Sequence, residues 1–126
     1  MILGVGTDIV YIPRISNLWK KFGIKFLTRV FNQKEIEDSY KYTNFDAQVR
    51  HFAKRFAAKE AYVKALGTGF GQSIKMSDIV ILNNPYGKPQ ITVSNSNPIH
   101  KIELSISDEK DYAIAFIVIY NANIKL

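Results

Sequence analysis

The sequence predicts an α+β domain in which an antiparallel sheet packs against one long helix. Three observations predict it. A β-branched segment opens the chain, a long stretch free of glycine and proline fills its middle, and apolar residues recur at every second position in its last third. At 126 residues the chain is read as one domain spanning 1–126, because two cores of half this size would each be marginal.

Ile2 to Ile12 reads as a strand. Leu3, Val5, Thr7, Ile9 and Tyr11 fall on one face, and Ile2, Gly4, Gly6, Asp8 and Val10 on the other. Pro13 ends the strand and suits the first turn of a helix carrying Ile15, Leu18, Trp19 and Phe22, with Arg14, Lys20 and Lys21 outward. Phe26, Leu27, Val30 and Phe31 mark a short helical piece. Asn32 to Glu35 has the form of a capping box, and the helix it starts is expected to run to about Tyr42. After a break at Thr43-Asn44, Ala47 to Leu66 is the strongest helix in the chain, rich in Ala, Lys and Arg and stopped by Gly67 and Gly69. Met76 to Leu82 and Gln90 to Val93 then form a hairpin around Asn83–Pro89. A strand through Ile102, Leu104 and Ile106 leads into a turn at Asp108–Asp111 and a last strand, Tyr112 to Tyr120.

Composition narrows the chemistry. Hydrophobic residues at 47% and charged residues at 22% are ordinary for a folded domain, which excludes disorder. The formal charge of +6 draws anionic partners. No cysteine is present, and the only histidines are His51 and His100, so thiolate catalysis and sites built on Cys or several His are excluded. A metal here must rest on carboxylates, which suits Mg²⁺. The first residues lack the pattern of a secretory leader, and the longest apolar run is too short to span a bilayer, so a cytoplasmic protein with no membrane partner is expected.

Two acids stand out. Val49, Phe52, Ala53, Phe56 and Val63 form an apolar stripe on the long helix, and Glu60 falls in its middle. A carboxylate there needs a cation, a site, or a salt bridge such as Lys64 at i+4 offers. Asp8 interrupts an aliphatic strand, with Gly4 and Gly6 beside it, unless it marks the strand's end. If strand and helix pack together, the two carboxylates meet, and a cation between them relieves their repulsion. Two acids with a substrate diphosphate would complete a Mg²⁺ shell, which predicts phosphoryl-group chemistry.

These residues also carry a resemblance. Gly4-Val5-Gly6-Thr7-Asp8-Ile9 with Pro13-Arg14-Ile15, and Arg55-Phe56-Ala57-Ala58-Lys59-Glu60-Ala61 with Lys64-Ala65-Leu66-Gly67-Thr68-Gly69, resemble the opening and signature motifs of the holo-acyl-carrier-protein synthases, small bacterial members of the 4′-phosphopantetheinyl transferase superfamily. Phe26-Leu27-Thr28, Asp78-Ile79, Gly87-Lys88-Pro89 and Tyr112-Ala113 continue the likeness along the whole chain. The resemblance implies transfer of 4′-phosphopantetheine from coenzyme A to a serine of an acidic apo acyl carrier protein, in support of fatty acid biosynthesis. It implies Mg²⁺ on Asp8 and Glu60, Lys64 on the phosphates of coenzyme A, and Gly67, Thr68 and Gly69 along the nucleotide. Gly87, Lys88 and Pro89 would lie near the adenine end, and Arg14 would pair with the carrier protein. It also implies a homotrimer with active sites between subunits, for which the doubly apolar strand Ala113–Tyr120 supplies a surface. The family commonly has a histidine where this chain has Asp108, so the proton acceptor is either a metal-bound water or Asp108; Val63 stands where some members carry a small polar residue. A scaffold that has lost activity and a small basic RNA-binding protein are the competing readings; the latter leaves Glu60 unexplained, and no nucleic-acid partner is expected.

Overall fold

The computed structural model describes residues 1–67 and 74–121. Strand β1 (Ile2–Tyr11) leads directly into helix α1 (Ile12–Phe22), followed by α2 (Ile24–Val30), α3 (Gln33–Ser39) and α4 (Phe45–Leu66). A 3-10 turn (Met76–Asp78) precedes β2 (Ile79–Asn83), β3 (Pro89–Val93), β4 (His100–Glu109) and β5 (Tyr112–Asn121). Every strand pairing is antiparallel, but the strands divide into two sheets, β1-β5-β4 and β2-β3. This is the α+β arrangement expected, with the sheet split in two.

Local chemistry sets the boundaries. Pro13 lies in the first turn of α1, where a missing N–H costs nothing. The capping box forms at α3: Asn32 Oδ1 accepts from Lys34 N, and Glu35 Oε1 accepts from Asn32 N, each at 2.9 Å. That helix ends at Ser39, short of the expected Tyr42. Helix α4 begins two residues earlier than expected, because Asn44 Oδ1 accepts from Ala47 N at 2.7 Å and so caps a start at Phe45. Gly67 closes α4 in the left-handed conformation, φ +80°. Met76 to Asp78, expected as strand, form the 3-10 turn instead, with Asp78 Oδ2 accepting from Lys75 N.

Helix α4 lies across β1 and β5. Ala53, Ala57, Ala61 and Ala65 are all buried, so the helix backbone comes close to the sheet. The even-numbered face of β1 accepts it through its glycines. A Cβ on Gly6 would fall inside the carbonyl oxygen of Ala61 and 2.8 Å from Ala65 N, and a Cβ on Gly4 would fall inside the carbonyl oxygen of Ala65. The room that the glycines leave beside Asp8 is filled by the end of α4. Phe31, Phe52, Ile15, Ile79 and Ile117 complete the core.

On the other face of the three-stranded sheet, β1 and β5 are apolar and bare, while β4 presents Lys101, Glu103, Ser105, Ser107 and Glu109. Val5, Ile9, Tyr11, Tyr112, Ile114 and Phe116 are all exposed, Ile9 by 62%. Register places Thr7 opposite Phe116, Ile9 opposite Ile114, and Tyr11 opposite Tyr112, so these side chains form one continuous patch. No helix among the described residues is long and apolar enough to cross a membrane.

Candidate active site between strand β1 and helix α4

Asp8 stands in mid-strand, opposite Ala115, not at a strand end. Its side chain points to the α4 side, among Gly4, Gly6 and Val10. The close approach at Gly4 and Gly6 brings the last two turns of α4 to this point. Lys64 Nζ donates to Asp8 Oδ1 at 2.9 Å and to Thr7 O at 3.1 Å. Lys64 therefore pairs with Asp8 and not with Glu60, its neighbour one turn earlier.

Glu60 is half-buried beside this pair. Burial raises its pKa above the ordinary carboxylate value, and the charge of Asp8 raises it further; Lys64 and then Arg14 pull it partly back. Asp8, Glu60, Lys64 and Arg14 thus act on one another, although they come from opposite ends of a 56-residue separation. Arg14 is fixed over the Phe56 ring, 5.8 Å from its centroid, on the turn of α4 before Glu60. Two carboxylates in one partly solvated corner form an oxygen-only donor set. That set fits a hard divalent cation completing its shell with water and phosphate. Among the described residues no group of three or more His, Cys, Asp and Glu gathers, so no richer ligand set competes with it.

The other expected site residues are placed as follows. Gly67 is the α4 cap, while Thr68 and Gly69 lie outside the described residues. Gly87, Lys88 and Pro89 follow the tip of the β2–β3 hairpin. There Asn84 Oδ1 accepts from both Tyr86 N and Lys88 N, at 2.9 and 3.0 Å, and Gly87 takes φ +85°. Lys88 reaches Glu103 on β4 at 3.5 Å. Val63 is buried and faces the core.

Asp108 requires a correction. The composition predicts it at the start of a turn, but it is the ninth residue of β4, and the turn is reduced to Lys110 and Asp111. Its carboxylate is held by Arg50 at 3.0 Å and Lys54 at 3.4 Å, both on α4. Arg50 precedes Glu60 by almost three helical turns, roughly 15 Å along the axis. Within one chain, Asp108 is not part of the Asp8–Glu60 group.

A buried polar cluster escaped the sequence reading. Lys59 and Glu35 are both fully buried and 2.7 Å apart. Lys59 Nζ also donates to Met76 O at 2.9 Å and to Ile79 O, while Glu35 Oε2 accepts from Ile81 N at 2.9 Å. Burial lowers the pKa of Lys59, and the charge of Glu35 opposes that. His51 Nε2 donates to Glu35 O at 2.8 Å; burial, then the charge of Arg55, holds the ring's pKa down to about 3, so it is neutral. Arg55 Nε in turn donates to Ile81 O at 3.2 Å. The signal available was the number of alanines and aromatics around all sides of α4. A helix apolar nearly all round is buried, and its charges then need partners.

Comparison with known proteins agrees with this geometry. The family model of the 4′-phosphopantetheinyl transferase superfamily matches residues 4–117. The chain is 82% identical over 120 residues to a holo-[acyl-carrier-protein] synthase of Ehrlichia chaffeensis, covering 95% of this chain and 98% of that protein. It is 52% identical to the synthase of Anaplasma marginale over 120 residues, covering 95% and 99%. Among solved structures, the holo-(acyl-carrier-protein) synthase of Bacillus anthracis in complex with CoA (3′,5′-ADP) superposes with a TM-score of 0.86 at 35% identity, covering 97% of this chain and 99% of that one. The Helicobacter pylori synthase in complex with coenzyme A gives 0.80 at 35% identity, covering 92% and 99%. With a family match that takes in nearly the whole chain, and with Asp8, Glu60 and Lys64 gathered where β1 meets α4, the chain belongs to the 4′-phosphopantetheinyl transferase superfamily.

Proposed function

We propose that this chain is a holo-[acyl-carrier-protein] synthase that works in the cytoplasm. It moves 4′-phosphopantetheine from coenzyme A to a serine of apo acyl carrier protein, releases adenosine 3′,5′-bisphosphate, and supports fatty acid biosynthesis. The observation that carries this reading is the convergence of Asp8, Glu60 and Lys64 where β1 meets α4. In this reading Asp8 and Glu60 hold Mg²⁺, which when bound neutralises charge on the diphosphate of coenzyme A.

The chain's own residues do the rest. Lys64, whose side chain is 56% exposed, donates to a phosphate oxygen of the departing nucleotide. Gly67, Thr68 and Gly69 border the nucleotide, and the hairpin turn at Gly87, Lys88 and Pro89 borders its adenine end. Arg14 meets the acidic carrier. Leu18 and Phe22, one and two turns further along α1, line a cavity of roughly 710 Å³ with Phe26, Lys25, Arg29 and Lys75. An apolar floor with a basic rim suits an amphipathic acidic partner. Asp108 accepts the serine proton in this reading only across a subunit boundary, because within one chain Arg50 and Lys54 hold it away from Glu60.

The exposed apolar sheet face supports a homotrimer, since a monomer would leave all of it in water. Sedimentation equilibrium is expected to give three chains per particle; a monomer at every concentration tested overturns that part.

Mass spectrometry of apo carrier protein after incubation with this chain, coenzyme A and Mg²⁺ is expected to show the addition of one phosphopantetheine. Glu60→Gln is expected to slow the transfer at least about 100-fold. A Glu60→Gln protein with an undiminished rate would overturn the metal assignment.

A further inference from the structure

We infer that Lys64 and the metal ion are alternative cations for the same oxygen of Asp8, and that coenzyme A decides between them. This rests on the reading of Asp8 and Glu60 as metal ligands. The ion pair joins unequal partners. Asp8 is fixed in the middle of β1 with a side chain only 15% exposed, whereas Lys64 is 56% exposed at the open end of α4. The ammonium spends one donor on Asp8 Oδ1 and one on Thr7 O, which draws it down onto the strand and onto a carboxylate that the metal reading also needs. With Asp8 and Glu60 on one side and Lys64 and Arg14 on the other, the formal charges of the corner already cancel.

Three consequences follow from that arrangement. A divalent cation arriving alone must displace an ammonium that is held by two hydrogen bonds, so its affinity is reduced. A diphosphate offers Lys64 a second set of oxygens, and only the long, exposed side chain has the freedom to move to them. The cosubstrate therefore releases Asp8 for the metal, and by linkage the metal favours the cosubstrate by the same factor. Lys64 in this account is a reversible partner of Asp8, and its exchange adds to the coupling that the diphosphate and the metal have through their own contact.

The test uses the full chain and Mg²⁺ alone, titrated calorimetrically without coenzyme A, with the melting temperature followed in parallel. Lys64→Met is expected to bind Mg²⁺ about tenfold more tightly than the wild type, in the lower part of the usual range for such couplings. Coenzyme A is expected to tighten Mg²⁺ binding in the wild type, and to do so by a clearly smaller factor in Lys64→Met, where only the attraction between the ion and the diphosphate remains. Adding Asp8→Asn to Lys64→Met is expected to abolish the gain, which places it at this oxygen. Equal or weaker Mg²⁺ binding by Lys64→Met overturns the exchange. In that event, Mg²⁺ binding by the wild type with coenzyme A present shows that the metal assignment still stands, whereas no binding there removes both.

Discussion

Gly6→Ala is expected to lose about 3 kcal/mol of stability, roughly a 10 °C fall in melting temperature, together with most of the transfer activity. The added methyl meets the carbonyl carbon of Ala61 at 3.0 Å and the nitrogen of Ala65 at 2.8 Å, besides the Ala61 oxygen, and all of these are helix backbone. A side chain would swing away from such a clash; a helical backbone held by its own hydrogen bonds moves only as a whole. The helix must therefore lift from β1, and the lift opens the corner where Asp8 meets Lys64 and Glu60. Gly67→Ala provides the contrast. Among the described residues nothing lies within 4 Å of a Cβ on Gly67, but its backbone is left-handed, so alanine there costs about 1 kcal/mol. Melting curves of the two variants measure both effects, and a Gly6→Ala protein no less stable than Gly67→Ala would show that the close packing of strand on helix is not what holds this site.

Lys59→Met is expected to destabilise the fold by about 3–5 kcal/mol. The substitution leaves the fully buried Glu35 carboxylate without its cation, and leaves Met76 O and Ile79 O without that donor. The cost comes from the stranded charge, not from a large intrinsic strength of the pair, since desolvation opposes the Coulomb attraction. The double variant Lys59→Met/Glu35→Gln is therefore expected to recover part of the loss, because the glutamine carbonyl still accepts from a backbone N–H while no charge is left unpaired. Urea unfolding would register both changes as shifts in midpoint at constant slope. A Lys59→Met midpoint close to that of the wild type would mean that water or another group already neutralises Glu35.

The two predictions divide along the line between what could be read from the sequence and what could not. Asp8 and Glu60 were legible because each breaks a strong local pattern, one an aliphatic strand and the other an apolar helical stripe. The glycines beside Asp8 pointed to a close neighbour. Lys59 was legible only indirectly, through the alanines and aromatics spread around α4, since a lysine on a helix ordinarily faces water and the third dimension is needed to put α3 and β2 over it. Asp108 misled for a similar reason. Asp108-Glu109-Lys110-Asp111 has turn composition, yet β4 and β5 pair as far as Glu109 and Tyr112, leaving a two-residue connection with Lys110 at φ +51°. A lysine is a poor announcement of positive φ, so the register of the long strands prevailed over local propensity. The β2 start failed on the same scale: Asp78 Oδ2 draws Lys75 N into a tight turn that alternation alone does not reveal.

The bare apolar strip along β1 and β5 bears on how the chain must be made. A newly synthesised copy that has folded correctly still presents isoleucine, phenylalanine and tyrosine in a row, and it stays adhesive until something covers them. Dilute or slow production lengthens that exposed interval, and crowding by unrelated nascent chains makes it hazardous. If the chain assembles as proposed, solubility during expression is governed by how soon sister copies meet as much as by how well each one folds.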